Sequence, residues 1–268
     1  MKMIWEKIKN KQIFLDGTEY PLLINPSEVE NYYLPIAQIL LTHVKQNKRV
    51  LIAVAGPPGC GKSSLAAILN NVINTLVGKN ISIVAGLDGW HFTNKYLEEH
   101  TLVRSGASIE LKQIKGDPAT YDHSKIKAFL NKVSSGESVS FPVYSREKHD
   151  PIENAGLLNK NHLIVILEGN YWLLDQQPWV TFQNYFDYRI AIIASPDNLV
   201  SGLRDRHLRG GKDPDWVEKQ IQNVDLVNIN LVLSHQLPAD LIIKKRDNFH
   251  IENIQWVGNE SLASTGNL

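Results

Sequence analysis

The sequence predicts an α/β fold built on a doubly wound, mostly parallel β-sheet, and three observations support this prediction. Short apolar runs rich in β-branched residues alternate with segments of helical periodicity along most of the chain. Several of these runs are uninterrupted, as expected for strands that helices cover on both faces. The 268 residues suffice for one large α/β domain with a sizeable buried core.

The same patterns place the individual elements. The predicted strands are residues 50–55, 81–87, 138–144, 163–167, 188–194 and 239–243. The predicted helices are residues 27–46, 62–76, 122–133 and 195–209, followed by a helix capped by Asp213 with Pro214 at its first position. In the first helix, Ser27 and Glu30 match a capping box, and Pro35 is expected to restart or kink the helix.

These elements divide the chain into three parts. Residues 1–49 are predicted to be an N-terminal helical extension, to which the sequence assigns no role. Residues 50–257 form the predicted main domain, in which consecutive strands and helices alternate. Residues 258–268, "GNESLASTGNL", are predicted to be a flexible tail because they are small and polar and lie at the terminus.

The composition excludes several classes of protein. The formal net charge is zero, which gives no overall field for nucleic acid or an acidic membrane. Cys60 is the single cysteine, so an intrachain disulfide is excluded and a reducing cytoplasm is expected. The first residues lack the apolar core of a signal peptide, and no apolar run is long enough to cross a bilayer. We therefore expect a cytoplasmic protein with neither nucleic-acid nor membrane partners; a homodimer is left open.

A glycine-rich loop after the first predicted strand carries the strongest motif. Residues 56–63 match GxxxxGK[ST], between a predicted strand and a predicted helix. Glycines let backbone N–H groups approach phosphate oxygens, and the helix N-terminus adds partial positive charge. Lys62 is expected to reach the outer phosphates and Ser63 to hold magnesium. The predicted nucleotide-binding residues are Gly56, Pro57, Pro58, Gly59, Cys60, Gly61, Lys62, Ser63 and Ser64.

Acidic residues follow two of the predicted strands. Asp88 comes directly after residues 81–87, and Glu168 directly after residues 163–167. Because the carboxyl ends of parallel strands share one edge of the sheet, both acids are expected beside the phosphate loop. One carboxylate can complete a magnesium shell, and the other can accept a proton from an attacking hydroxyl. The alternative is that either acid caps a helix or pairs with a lysine.

Five further blocks of sequence resemble a known superfamily. They are "DGWHF" (residues 88–92), "KGDPATYD" (115–122), "FPVYSREKHDP" (141–151), "VILEGNYWLLDQQPW" (165–179) and "RHLRGGKDPDW" (206–216). Their order over roughly residues 50–245 is similar to that in the phosphoribulokinase, uridine kinase and bacterial pantothenate kinase superfamily. The subgroup they resemble most is that of nucleoside/nucleotide or fructose-transport kinases.

The resemblance implies a P-loop NTPase fold with a helical lid at about residues 204–216. It also implies transfer of the γ-phosphate of ATP to a hydroxyl of a small metabolite. Asp88 matches the catalytic base of the superfamily, and Glu168 matches the acid on the magnesium side. Arg206 lies in the lid block, where its charge can meet charge that develops during transfer; Arg204 and Arg209 are weaker candidates.

The resemblance also implies substrate contacts. His91, Lys115, Tyr144 and Arg146 lie in blocks that contact the acceptor or its surroundings in relatives, although His91 is also a candidate for a structural bond to a backbone carbonyl. Two departures affect this transfer of roles. Ser145 stands where many relatives have aspartate, although pantothenate kinases also have serine there. Asp117 stands where many relatives have an uncharged residue.

We therefore predict a kinase that depends on ATP and magnesium and acts on a sugar, a nucleoside or a pantothenate-like alcohol. One alternative is a regulatory protein that binds ATP without phosphotransfer, and Asp88 argues against it because a regulator needs no proton acceptor. Another alternative is an ATPase acting on a protein or nucleic acid, which the lack of a basic face disfavours. A switch GTPase is disfavoured because the pairs at Asn94 and Asn159 lack the aspartate of an NKxD motif.

Overall fold

Strands and helices alternate along most of the chain in the computed structural model, which describes residues 2–15, 18–45 and 48–258. The strands are β1 (Gln12–Leu15), β2 (Thr18–Pro21), β3 (Val50–Ala55), β4 (Ser82–Gly86), β5 (Thr101–Arg104), β6 (Ala107–Glu110), β7 (Val139–Ser145), β8 (Asp150–Leu158), β9 (Ile164–Gly169), β10 (Tyr188–Ala194), β11 (Leu241–Lys245) and β12 (Ile251–Trp256). The α-helices are α1 (Lys2–Ile8), α2 (Pro26–Glu28), α3 (Leu34–Thr42), α4 (Lys62–Val77), α5 (Asn94–Glu99), α6 (His123–Ser134), α7 (Pro196–Arg209), α8 (Pro214–Gln220) and α9 (Leu226–Ser234).

A six-stranded sheet in the order β12-β11-β10-β3-β9-β4 organises the fold. Its strands are parallel except β12, which runs antiparallel to β11 at one edge. Every residue of β3 is buried. Val50, Ile52 and Val54 face one apolar cluster, which includes α3 and α4. The alternate residues of β3 face a second cluster, which includes α6. Helices therefore cover both faces of the sheet, which confirms the predicted doubly wound α/β fold.

One strand prediction needs correction, and a strand at the edge of the sheet was not predicted. The predicted strand at residues 138–144 exists as β7, but it pairs with β8 in a separate antiparallel hairpin and not with the central sheet. The strand predicted at residues 239–243 is observed as β11, and it is followed by β12, which the sequence reasoning missed. Alternation of apolar and polar residues identifies a half-buried strand but does not specify its partner.

The N-terminal extension is not purely helical, contrary to the prediction. It contains α1, the β1–β2 hairpin, α2, a π-helical turn (Val29–Tyr33) and α3. Ile8, Ile13 and Ile36 are buried in the same apolar cluster as β3 and α4. The extension is therefore part of the core.

The capping box lies two residues before the predicted one. Asn25 and Glu28 form it, where the sequence suggested Ser27 and Glu30. The Glu28 carboxylate also accepts hydrogen bonds from the backbone N–H of Ile251 and from the His250 ring, at 3.0 and 2.9 Å. These hydrogen bonds to the buried Glu28 carboxylate link the N-terminal extension to the segment that joins β11 and β12.

The helices after β10 begin where the sequence predicted. Ser195 caps α7 and Asp213 caps α8 through hydrogen bonds from backbone N–H groups, and Gly211 between them has φ 75°. The predicted flexible tail lies outside the described residues, apart from Gly258. Among the described residues, no helix has the length and apolar character needed to cross a membrane.

Lys245, the last residue of β11, is a buried lysine that contacts the segment after this strand. Its side chain is fully buried, and its ammonium donates a hydrogen bond to the Phe249 carbonyl at 2.8 Å. Burial lowers the pKa of Lys245 from 10.5 to about 8. Between these values the unfolded chain binds the extra proton, so the contribution of this group to stability rises with pH from about 8 to 10.5.

Lys245→Met should remove this rise. Over that range, the free energy of unfolding of the wild type should increase relative to the variant by up to ~1.4 kcal/mol per pH unit. Denaturant unfolding at several pH values measures the difference, and Lys79→Met, at an exposed lysine, is the matched control. If the free energy of unfolding depends on pH in the same way in the wild type and in Lys245→Met, the pKa of Lys245 is not lowered in the folded protein.

Candidate active site

The loop between β3 and α4 has the backbone geometry of an anion site. Gly59 and Gly61 have φ of 83° and 78°, in the left-handed region that favours glycine. Gly61 is the N-cap of the 16-residue helix α4 and has no side chain to cap its N-terminal N–H groups. Such a terminus, together with its partial positive charge, suits the phosphates of a nucleotide.

Lys62 lies inside this loop. It is 8% exposed, and its ammonium donates a hydrogen bond to the Pro57 carbonyl at 2.9 Å. The Cys60 sulfur is 3.8 Å from the same ammonium. Burial raises the pKa of Cys60, which keeps the thiol protonated and unreactive, consistent with the space-filling role expected of this residue. The lysine charge therefore stands within the loop, where a bound phosphate chain would meet it.

The two acids that follow strands both reach this loop, as expected. Glu168 lies at the end of β9, and its Oε1 accepts a hydrogen bond from the Ser63 hydroxyl at 3.1 Å. Hydroxyl and carboxylate oxygens are hard ligands that suit magnesium, which normally keeps several waters and binds substrate phosphates for its other positions. The side chains present here therefore fit a magnesium ion bound together with a nucleotide.

Asp88 lies just beyond β4, and several cationic or polar groups surround its carboxylate. Arg146 Nη2 is 3.1 Å from Oδ2, and the Tyr121 hydroxyl donates to Oδ1 at 3.2 Å. Burial opposes ionisation of Asp88, but the positive charges around it, of which Arg146 contributes most, with Arg206 and Lys62, outweigh burial and hold its pKa well below the ordinary value. The side chain keeps 37% exposure. Asp88 is therefore an ionised carboxylate that solvent and ligands can reach.

His91 is bound to the backbone. Its Nδ1 is 3.1 Å from the Thr120 carbonyl, and its ring stacks on Tyr121 with centroids 3.8 Å apart. Burial lowers the pKa of His91 to about 4, so the ring is neutral at pH 7 and Nδ1 donates to the carbonyl. Nε2 is 3.8 Å from Asp88 Oδ1, beyond hydrogen-bond distance. His91 therefore makes the structural hydrogen bond to a backbone carbonyl that was its alternative role, and it also borders a cleft.

That cleft, which we call the adjoining cleft, brings together the four residues predicted to contact substrate: His91, Lys115, Tyr144 and Arg146. Its volume is about 520 Å³. Lys115 and Arg146 approach the Tyr144 ring with their charged groups 5.1 and 4.9 Å from its centroid. Lys115 also donates hydrogen bonds to Asn94 Oδ1 and to the His149 carbonyl, both at 2.7 Å. The cleft is large enough for a metabolite and rich in hydrogen-bond donors.

A smaller phosphate pocket of about 110 Å³ opens beside the adjoining cleft. The predicted residues Lys62, Ser63 and Glu168 line it. Six residues border both spaces: Tyr20, Asp88, Arg146, Asn170, Arg206 and Arg209. The Asp88 carboxylate thus stands where a phosphate chain in one space would meet a small molecule in the other.

The three candidate arginines on α7 separate into two groups. Arg206 and Arg209 on α7 border both spaces. Arg204 borders neither and pairs with Glu218 of α8 through hydrogen bonds of 2.6 and 3.0 Å. Arg209, which the sequence ranked below Arg206, thus borders the same two spaces as Arg206.

Sequence reasoning missed several lining residues. Tyr20 comes from the N-terminal hairpin, and Asn248 and Phe249 come from the segment after β11. The Asn248 carbonyl accepts a hydrogen bond from the Ser64 hydroxyl, and a side chain at Gly61 would collide with it. Tyr121 and Asn170 stand inside motif blocks, so a signal existed for them. The other three carry no local motif.

A family model described as Phosphoribulokinase / Uridine kinase family matches residues 51–251. The chain belongs to this family. Its members are kinases that use ATP and phosphorylate hydroxyl groups of small molecules. The protein is therefore a small-molecule kinase with an alcohol group as acceptor, and its phosphate loop is that of a P-loop kinase.

Individual relatives fit this assignment. YggC of Escherichia coli strain K12, described as an uncharacterized protein, is 29% identical over 87% of this chain and 94% of its own length. A pantothenate kinase of Enterococcus faecalis strain ATCC 700802 / V583 is 28% identical over 65% of this chain and 60% of its own. The crystal structure of a candidate fructose transport system kinase from Silicibacter sp. TM1040 matches with TM-score 0.69 and 28% identity, over 78% of this chain and 98% of that one.

Proposed function

We propose that this kinase transfers the γ-phosphate of ATP to a hydroxyl of a metabolite in the adjoining cleft, with Asp88 as the general base. The acceptor oxygen forms a bond to the γ-phosphorus, the bond from that phosphorus to the β–γ bridging oxygen breaks, and ADP leaves. The hydroxyl proton passes to Asp88. The observation that carries this proposal is the ionised Asp88 carboxylate at the junction of the two spaces.

The phosphate loop, residues 56–64, holds the nucleotide in this proposal. Lys62 binds the outer phosphates, and backbone N–H groups at the start of α4 bind the others. Ser63 and Glu168 hold magnesium, which supplies charge neutralisation on the phosphates when it is bound. Arg206 stabilises the charge on the transferring group, in a lid of about residues 204–216.

The acceptor contacts fall to the adjoining cleft. Lys115 and Arg146 donate hydrogen bonds, and Tyr144 offers a ring face flanked by these two cations. His91 touches the cleft but acts mainly by fixing the segment that carries Asp88 against residues 120 and 121. Since Arg146 already pairs with Asp88, it can orient the carboxylate as well as contact the acceptor.

An ADP-release screen against sugars, sugar phosphates, nucleosides and pantothenate tests the proposal. We expect at least one hydroxyl compound to stimulate ADP release and to be recovered with one added phosphate. ADP release without a phosphorylated product would contradict the proposal, and ATP binding without any stimulation would favour the regulatory alternative.

Arg206→Ala tests the lid assignment. We expect kcat to fall by roughly tenfold to 10²-fold, with a much smaller loss of ATP affinity, because the arginine charge matters most as charge develops in the transition state. Steady-state kinetics and calorimetric ATP titration measure the two effects. Arg204→Ala is the matched control, since Arg204 lies outside both spaces. Equal losses of kcat and ATP affinity would make Arg206 an ordinary ground-state contact.

A further inference from the structure

The adjoining cleft carries more positive charge than a neutral acceptor needs. Seven lysines and arginines line it against two aspartates, in a chain with zero formal net charge. Its three arginines also border the phosphate pocket, so the charge of ATP accounts for them. Four lysines border the adjoining cleft alone: Lys112, Lys115, Lys148 and Lys212. ATP in the phosphate pocket does not account for these.

The four lysines line the same cleft as His149. Burial lowers the pKa of the His149 ring, and the charges of Lys212, Lys115, Arg146 and Lys112 lower it further. Lys148 is the preceding residue. Burial lowers the pKa of Lys115 to about 8; the charge of Asp150 opposes this shift, and the charge of Lys112 adds to it. Like charges held this close repel one another, and a bound anion relieves that repulsion.

Carboxylates of the protein balance only part of this charge. Of the two aspartates in the cleft, Asp88 pairs with Arg146, and Asp225 is 2.8 Å from the His207 ring. Lys115 donates to two uncharged oxygens, and Lys112 pairs with Glu98 at 3.2 Å. Within the described part of the chain, neither Lys148 nor Lys212 has a carboxylate within 4.0 Å.

The backbone holds this arrangement in place at some cost. His149 has φ 51°, in the left-handed region that side-chain-bearing residues seldom adopt, in the turn that joins β7 and β8. This conformation accompanies a carbonyl that accepts hydrogen bonds from Lys115 Nζ at 2.7 Å and from Asn94 Nδ2 at 2.9 Å. Strained backbone of this kind is typical of functional sites.

We propose that the acceptor carries an anionic group, a phosphate monoester or a carboxylate, and that Lys112, Lys115, Lys148 and Lys212 bind it while Asp88 faces the hydroxyl. This inference rests on the proposed function. It favours phosphorylated sugars and hydroxy acids over free sugars and nucleosides, because a neutral compound leaves the charges of Lys148 and Lys212 without a balancing anion.

Matched pairs of acceptors test the proposal by turnover. Ribose 5-phosphate against ribose tests a phosphate monoester, and pantothenate against pantothenol tests a carboxylate. In at least one pair we expect the charged member to have a kcat/KM at least about tenfold higher, the scale of one hydrogen bond to a charged group. Lys148→Gln and Lys212→Gln should each raise KM for that acceptor severalfold with little change in kcat. Lys127→Gln, at an exposed lysine outside the cleft, should leave KM for that acceptor unchanged. Equal kcat/KM within both pairs would overturn the proposal.

A binding measurement separates this inference from the proposed function. Inorganic phosphate and acetate are titrated calorimetrically into protein saturated with magnesium and AMP-PNP, a nonhydrolysable ATP analogue that fills the phosphate pocket. We expect at least one anion to bind and Lys148→Gln or Lys212→Gln to weaken it severalfold. Anion binding without any turnover would uphold the anionic site while contradicting the proposed function. Turnover of neutral acceptors without anion binding would uphold the proposed function and contradict the anionic site.

Discussion

Asp88→Asn should lower acceptor-dependent ADP release by ~10²–10⁴-fold, the usual range for loss of a positioned acid–base group. Asparagine keeps the shape of the side chain and removes the charge that accepts the proton. ATP affinity should change little, because in the proposed mechanism Asp88 faces the acceptor hydroxyl while the phosphate loop holds the nucleotide. Two measurements on the same preparation separate the effect on turnover from the effect on ATP affinity: ADP release reports turnover, and calorimetric titration reports ATP binding.

A matched control guards this prediction against a general effect of losing a carboxylate. Asp175→Asn removes an acid that pairs with His235 and borders neither space, and it should leave turnover unchanged. Unchanged transfer in Asp88→Asn would refute the base assignment. A parallel loss of ATP affinity would instead move Asp88 to the magnesium side of the site.

Lys62→Ala should reduce transfer by roughly 10²–10³-fold while the fold stays intact, because its ammonium serves phosphate charge. In the structure that ammonium donates a hydrogen bond to the Pro57 carbonyl and lies 3.8 Å from the Cys60 sulfur, and both partners belong to its own loop. Turnover and thermal unfolding of the variant measure the two quantities. Lys79→Ala, at an exposed lysine just after α4, is the control. Wild-type turnover in Lys62→Ala would rule out the assignment of the phosphate loop.

Local sequence signals predicted the part of the site that lies at strand ends. The motif at residues 56–63 specifies its own backbone geometry through Gly59 and Gly61. Asp88 and Glu168 were predictable because parallel strands bring their carboxyl ends to one edge, and β4 and β9 are neighbours in the sheet. Short-range rules were sufficient here because each feature depends on its own strand and the turn that follows.

The remainder of the site depends on packing between distant segments. Tyr20 reaches the phosphate pocket from a hairpin that the sequence analysis treated as helical. Asn248 reaches the loop because β12 returns along β11, and Glu28 of the N-terminal extension binds the segment between them. Lys148 and Lys212 line one cleft because the β7–β8 turn and the segment before α8 both border it. Long-range packing of this kind leaves no periodic trace in the sequence.

The most direct test of the central claim follows the phosphate itself. Protein, magnesium and ATP labelled in its γ-phosphate are incubated with a metabolite extract, and the labelled products are separated by chromatography. We predict that the label appears on a small organic molecule with the wild type and falls at least about 10²-fold with Asp88→Asn. Label that appears only as inorganic phosphate, equally with both proteins, would contradict phosphoryl transfer to a metabolite through Asp88.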